Sequence, residues 1–145
     1  DGYVAEFVQD VDQGRVIEVD KVMKTPVIID TAKTLTECVD ALGDRRGGFV
    51  CDADGKPTGL LAVTDAATAL AHGTTDLASV LRSDFDTTSP TARFNDNYAA
   101  AGRGFPIAVC DDTGRLVGEL EPQEIMEEMG RVERLVDGFE REVFL

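Results

Sequence analysis

The chain has 145 residues, 43% of them apolar, which is enough to fill one core of ordinary size or two half-domains that share one. Its 28 acidic residues against 14 basic ones give a net charge of -14, a field that disfavours nucleic acid and opposes an anionic membrane surface. No apolar run approaches the roughly 20 residues that span a bilayer and no signal peptide is readable, so a cytoplasmic protein with no direct membrane insertion is expected.

In chain order, Tyr3, Val4, Phe7, Val8 and Val11 make one apolar face of a short helix, and residues 1–20 read as a helical tether. Asp1 is not a natural start, so the chain is expected to be a fragment of a longer protein or a processed form. Val27 to Ile29 predict a short β-branched strand. Asp30 or Thr31 is placed to cap the helix on which Leu35, Val39 and Leu42 recur over about two turns. Gly47 and Gly48 release the chain into a strand from Phe49 to Cys51, Asp54-Gly55 makes a hairpin turn, and Gly59 to Val63 return. Asp65 opens a second helix, which Gly73 closes. Further on, Pro90 sits just inside a helix carrying Phe94, Tyr98 and Ala101. Pro106 to Cys110 pair with Leu116 to Leu120 across Asp112 to Gly114, and Pro122 starts another helix at a position where its missing N–H costs nothing. From Ile125 through Met129, Val132, Val136, Phe139 and Val143 an apolar stripe runs into an acidic amphipathic helix over 131–145. That stripe packs either on this chain or on a second copy or a larger protein.

The chain repeats itself. FVCDADGKPTGLL, Phe49 to Leu61, returns as AVCDDTGRLVGEL, Ala108 to Leu120, at an offset of 59 residues that sets Cys51 on Cys110, Asp52 on Asp111, Gly55 on Gly114 and Gly59 on Gly118. The same register carries Leu35 onto Phe94 and Ala41 onto Ala100. Each copy reads strand, helix, strand, strand, helix. A unit that cannot bury its apolar face alone packs against its copy, and the seam between copies is a natural ligand site. Cys38, Cys51 and Cys110 lack metal-ligand spacing and read as reduced core residues.

This pattern resembles tandem cystathionine β-synthase (CBS) domains. The first copy supplies VMKTPVIID, GGFVCDADGKPTGLL and TDAATAL, and the second supplies TTSPTARF, AVCDDTGRLVGEL and PQEIMEEM. The second copy departs from the family at its entry, where VLRSDFDT replaces the proline-containing opening. The resemblance implies an α/β (α+β) fold of two pseudo-symmetric β-α-β-β-α units packed together, with a first CBS domain over 21–78 and a second over 79–130. It further implies a homodimer through CBS units, an adenine nucleotide in the cleft, and regulation of an attached enzyme or transporter. The lead-in YVAEFVQDVDQGRVIEVDKVM is similar to the segment that joins the nucleotide-binding domain to the CBS pair in ATP-binding subunits of glycine betaine/proline ABC importers. That likeness implies a parent ATPase domain and a permease as partners, a place peripheral to the inner membrane, and osmotic control through ionic strength or cyclic di-AMP. Two alternatives stand beside it: an adenine-nucleotide sensor attached to another enzyme, and a ligand-free dimerisation scaffold.

The resemblance also nominates residues. Nucleotide-binding copies carry G-h-h-[ST]-x-x-D, whose carboxylate accepts from ribose hydroxyls while the hydroxyl and nearby N–H groups meet phosphate. Copy one reads Gly59-Leu60-Leu61-Ala62-Val63-Thr64-Asp65: Asp65 is in place, Ala62 stands where the hydroxyl should be, and Pro26, Val27, Phe49 and Val50 are expected around the base. Asp65 equally suits a helix N-cap. Copy two puts Glu121 at the phosphate position and Glu124 at the ribose position, so that half is expected to be degenerate. No Gly-x-x-x-x-Gly-Lys-Ser/Thr loop is present, the serines have no partner base, and His72 reads as solvent-facing or capping. No active site and no metal site are expected.

Overall fold

The computed structural model describes residues 17–127. The expected lead-in helix and the terminal apolar stripe past residue 127 lie outside them. Five strands and five helices follow in order: α1 (Leu35–Leu42), β1 (Gly47–Cys51), β2 (Pro57–Ala62), α2 (Val63–Ala71), α3 (Leu77–Val80), β3 (Thr87–Thr88), α4 (Tyr98–Ala101), β4 (Ile107–Cys110), β5 (Leu116–Leu120) and α5 (122–127). The two repeats form the expected pair of pseudo-symmetric α/β units.

Each unit is built around one hairpin. β1 pairs antiparallel with β2, and β4 with β5, and each ladder slips at the same place, Val50/Cys51 and Val109/Cys110. The turns are alike because Asp52 and Asp111 each accept backbone N–H groups at 2.9–3.0 Å, while Gly55 and Gly114 take φ values of 82° and 87° that a side chain would strain.

What joins the units is an exchange of edges. The segment through Lys24 bridges Glu119 of β5 at one end and, at Ile28, bridges Phe49 of β1 at the other. The segment from Arg82 does the converse, bridging Leu60 of β2 and then running as β3 parallel to β4. Residues on both sides of the expected boundary at 21, Val19, Val22 and Met23, pack with Phe94, Ile107, Val109, Leu120 and Ile125 in the core of the second unit. The first unit's core gathers Ile29, Leu35, Cys38, Leu42, Leu61, Ala66 and Leu77. A third cluster, Phe49, Leu60 and Ala108 flanked by Phe85, Phe105, Cys110 and Leu116, sits on the seam and takes members from both hairpins.

Several local expectations are corrected. Neither Asp30 nor Thr31 caps α1. Thr34 does, accepting from Glu37 N at 3.2 Å while Glu37 bonds back, a reciprocal capping box, and Asp30 instead closes a turn onto Ala32 N at 2.9 Å. Gly47 and Gly48 lie inside β1 rather than before it, pairing with Ala62 and Leu61, and a Cβ on Gly47 would stand 2.7 Å from Leu61 O. Val63 begins α2 instead of ending β2, so Asp65 is the third helical residue and caps nothing with its side chain. Pro90 lies ahead of the short 3-10 turn Phe94–Asn97 that leads into α4, and its carbonyl accepts from Asp20 N at 2.9 Å. The return of the Phe94 region as a 3-10 turn plus a single helical turn reflects Asn95, Asp96 and Asn97, poor formers of helix interiors.

Candidate functional site

The exchanged edges place one cation against each ribose-position carboxylate. α2 carries Asp65 to the edge of the first sheet, where Arg82 grips it with two parallel bonds, Nε to Oδ2 at 2.5 Å and Nη2 to Oδ1 at 3.0 Å. The Arg82 guanidinium lies over the Phe105 ring, 4.3 Å from its centroid. At the other end of the seam Lys24 Nζ sits 2.5 Å from Glu124 Oε1. Since Glu124 is the repeat partner of Asp65, the two ion pairs are pseudo-equivalent, each supplied by the segment that edges both sheets.

Around Asp65 the molecule is open. A groove of about 540 Å³ is lined by Asp65, Thr68, His72, Ser79, Leu81 and Arg82, among others. His72 is exposed at the end of α2, with Nδ1 2.8 Å from Thr68 O, which puts it on the wall of this groove as well as at a helix C-terminus. Ala69, Val80 and Leu81 supply its apolar wall, and Thr74 also lines it.

Around Glu124 the molecule is filled by its own carboxylates. Glu119 is fully buried, and its Oε1 accepts from Val27 N at 2.7 Å and lies 3.2 Å from Arg45 Nη1. Glu121, also buried, accepts from Arg46 N through Oε2 at 3.2 Å. The backbone N–H groups of Val27 and Arg46 are therefore taken by these carboxylates. Burial, and then the neighbouring Glu121, push the Glu119 carboxyl up to about 8.

The nominated residues thus fall into two groups. Val27, next in sequence to Pro26, donates its N–H to Glu119, on the side of Glu121 and Glu124. Asp65 belongs to the opposite edge, beyond β1 and β2, where Arg82 bridges Leu60. Phe49 is buried on the seam with its ring 5.5 Å from that of Phe85, and Val50, half-buried, packs into the first core. Ala62 is buried at the end of β2, and Thr64 is exposed on α2, its carbonyl accepting from Thr68. The pair Arg82 and Phe105 escaped the sequence reading. The repeat offset held the signal: it maps Phe105 onto Arg46 and sets Arg82 one position from Lys24, so the copies' lead-in segments could have been compared as the hairpins were.

Among the described residues, no group of three or more His, Cys, Asp or Glu side chains is arranged to hold a metal ion. The three cysteines are free, and burial raises each thiol above its ordinary value, which disfavours the reactive thiolate. No described helix is long and apolar enough to cross a membrane.

Comparison with known proteins agrees with the fold. The CBS domain family matches residues 18–72. No curated protein matches the chain. Among solved structures, the CBS domain pair of protein MJ0100, in complex with 5'-methylthioadenosine and S-adenosyl-L-methionine, superposes with a TM-score of 0.71 at 19% identity, covering 79% of this chain and 97% of that one. OpuCA of Staphylococcus aureus gives a TM-score of 0.61 at 20% identity, covering 77% and 97%. CBSX2 of Arabidopsis thaliana, in complex with AMP, gives 0.64 at 14% identity, covering 80% and 98%.

Proposed function

From a chain folded as a tandem pair of CBS units, we propose a regulatory module that senses an adenine nucleotide or a related adenosyl compound, bound once per chain in the Asp65 groove. The observation that carries this reading is the Asp65–Arg82 pair on the wall of an open groove, with Arg82 stacked on Phe105 behind it. A carboxylate accepts from two ribose hydroxyls, a guanidinium takes phosphate or carboxylate, and the aliphatic wall at Val80 and Leu81 suits a flat base. Arg82 is exchangeable in this scheme: when ribose hydroxyls take over Asp65, the guanidinium turns to the ligand's anionic group. Relatives of the same fold hold AMP, or 5'-methylthioadenosine with S-adenosyl-L-methionine, which supports the ligand class. The filled pocket at Glu119 and Glu121 supports a single site.

Binding that favours one arrangement of the two units over another by ~1–3 kcal/mol would alter an attached partner severalfold. A second reading, the osmotic control module of a glycine betaine/proline importer's ATP-binding subunit, is favoured by the lead-in sequence. The ligand complexes among the solved relatives favour the broader nucleotide reading instead.

Calorimetric titration with AMP, ATP, S-adenosyl-L-methionine and cyclic di-AMP separates these. One equivalent of an adenosine ligand per chain is expected, with Asp65→Ala weakening it about ten- to a hundredfold, as befits hydrogen bonds to a charged group. Heat with cyclic di-AMP alone would favour the importer reading. Undiminished affinity in Asp65→Ala would remove the assignment.

A further inference from the structure

The two buried carboxylates on the Glu124 side of the seam have a property that their role as pocket fillers does not explain. Glu119 Oε1 and Glu121 Oε2 are both satisfied, by Val27 N and Arg45 and by Arg46 N. The other oxygen of each, Glu119 Oε2 and Glu121 Oε1, is buried without a donor, and the Glu121 side chain lies close enough to Glu119 to raise its pKa. Two acceptors facing each other make a bond only when a proton lies between them. An unpaired buried carboxylate oxygen is otherwise costly, and two adjacent ones repel.

We infer that Glu119 and Glu121 hold one proton between Glu119 Oε2 and Glu121 Oε1, and that this proton clasps the second unit onto the first. Both carboxyl groups belong to the second unit, and every donor they engage, Val27 N, Arg45 and Arg46 N, belongs to the first. The charged groups facing the pair are few. Arg45 lies 3.2 Å from Glu119 and also donates to Thr25 O at 2.9 Å, which leaves its charge only partly turned toward the pair. Lys24, across the ladder from Glu119, is engaged by Glu124 on α5. Lys24 also acts on Glu121 through its charge, but neither cation donates a hydrogen bond to Glu119 Oε2 or Glu121 Oε1, and a shared proton is what would satisfy them.

The direction of the pH effect follows. Glu119 holds its proton up to about pH 8 in the folded chain, against an ordinary value of 4.5. The folded state therefore binds about one more proton than the unfolded state between those values. Stability is fully present below pH 4.5 and declines as pH rises through that window, then levels off above it. Above it the facing carboxylates repel and the seam loosens.

Urea unfolding of the whole chain from pH 5 to 9 reads this out, with Glu121→Gln and Glu119→Gln as partners. Each amide keeps one oxygen for the existing donor and presents an N–H where the proton would be. Wild type is expected to show an unfolding constant that rises up to about tenfold per pH unit between pH 5 and 8, the signature of one proton. Both variants are expected to lose that dependence and to be the more stable chains at pH 9. In NMR titrations the amides of Val27 and Arg46 should shift together with a midpoint about pH 8 in wild type and stay flat in Glu121→Gln. A slope unchanged in both variants, or amides that do not titrate in wild type, would overturn the inference. Should one variant fail to fold, the other and the wild-type amide titration still decide it.

Discussion

Single residues at the contacts between strands and their crossing segments decide how much this fold tolerates. Gly47 and Gly118 both lie inside strands, and a Cβ at either would meet a neighbour, but the neighbours differ in kind. At Gly47 the nearest atom is Leu61 O, part of the ladder itself, at 2.7 Å, whereas at Gly118 it is Sδ of Met23, the far part of a flexible side chain. Gly47→Ala is expected to cost about 2 kcal/mol and Gly118→Ala less than about 1 kcal/mol, by chemical unfolding of the two variants side by side. The repeat in the sequence marked Gly118 as the partner of Gly59, yet a Cβ at Gly59 would meet nothing nearer than 3.6 Å, so crowding depends on what crosses above each position and not on the repeat. The same holds for Asp65. Its residue type and place in the motif were readable, while its partner Arg82 lies 17 residues on and was brought to it by the exchanged edge.

At the scale of elements, the hairpins were legible to within a residue or two because alternation, the Asp-Gly turn and the repeat all pointed the same way. Helix starts were less so. Thr34 and Glu37 form a capping box that stands in the sequence as T-L-T-E, yet Asp30 and Thr31 offered equally good cap chemistry a turn earlier. The choice went to the residue whose helix could bury Leu35, Cys38 and Leu42 on one face. Thr34→Ala should destabilise the chain by about 1 kcal/mol, whereas Thr31→Ala should change it by less than half as much; thermal melts of both test which residue caps. In the second unit Pro122 does start a helix as its fixed φ suggests, whereas the Phe94 helix shrank because polar residues interrupt it just where the sequence pattern had continued the apolar spacing.

For the whole molecule, the seam is asymmetric beneath its pseudo-twofold. Leu60 and Glu119 are repeat partners, so the position that adds an apolar side chain to Phe49 and Ala108 on one side places a buried carboxyl on the other. Leu116 N donates to Gly55 O at 2.9 Å across the hairpins, and the reciprocal bond is lost because its donor position is Pro57. One side of the module thus opens on a groove at Asp65, and the other is closed on its own carboxylates. Phe49 is the pivot between them: it is fully buried and touches elements of both units. Phe49→Ala is expected to cost about 3–5 kcal/mol, and a single cooperative loss of both units in its unfolding curve would show that they share one core.

The amino-acid sequence by itself determined the repeat, the two hairpins, the acidic field and the family likeness, because turns, strand alternation and net charge depend on neighbours a few residues apart. It placed the carboxylates at 65, 121 and 124 but grouped Pro26 and Val27 with Asp65. Only the tertiary structure decided which lead-in edges which sheet, and so which cation meets which carboxylate. That choice is made by chain crossing: the segments through Lys24 and Arg82 each satisfy backbone N–H and C=O groups on both units at once. Contacts made in this way leave no local pattern in the sequence, and they sort one seam into an open groove at Asp65 and a closed, proton-bearing clasp at Glu119 and Glu121.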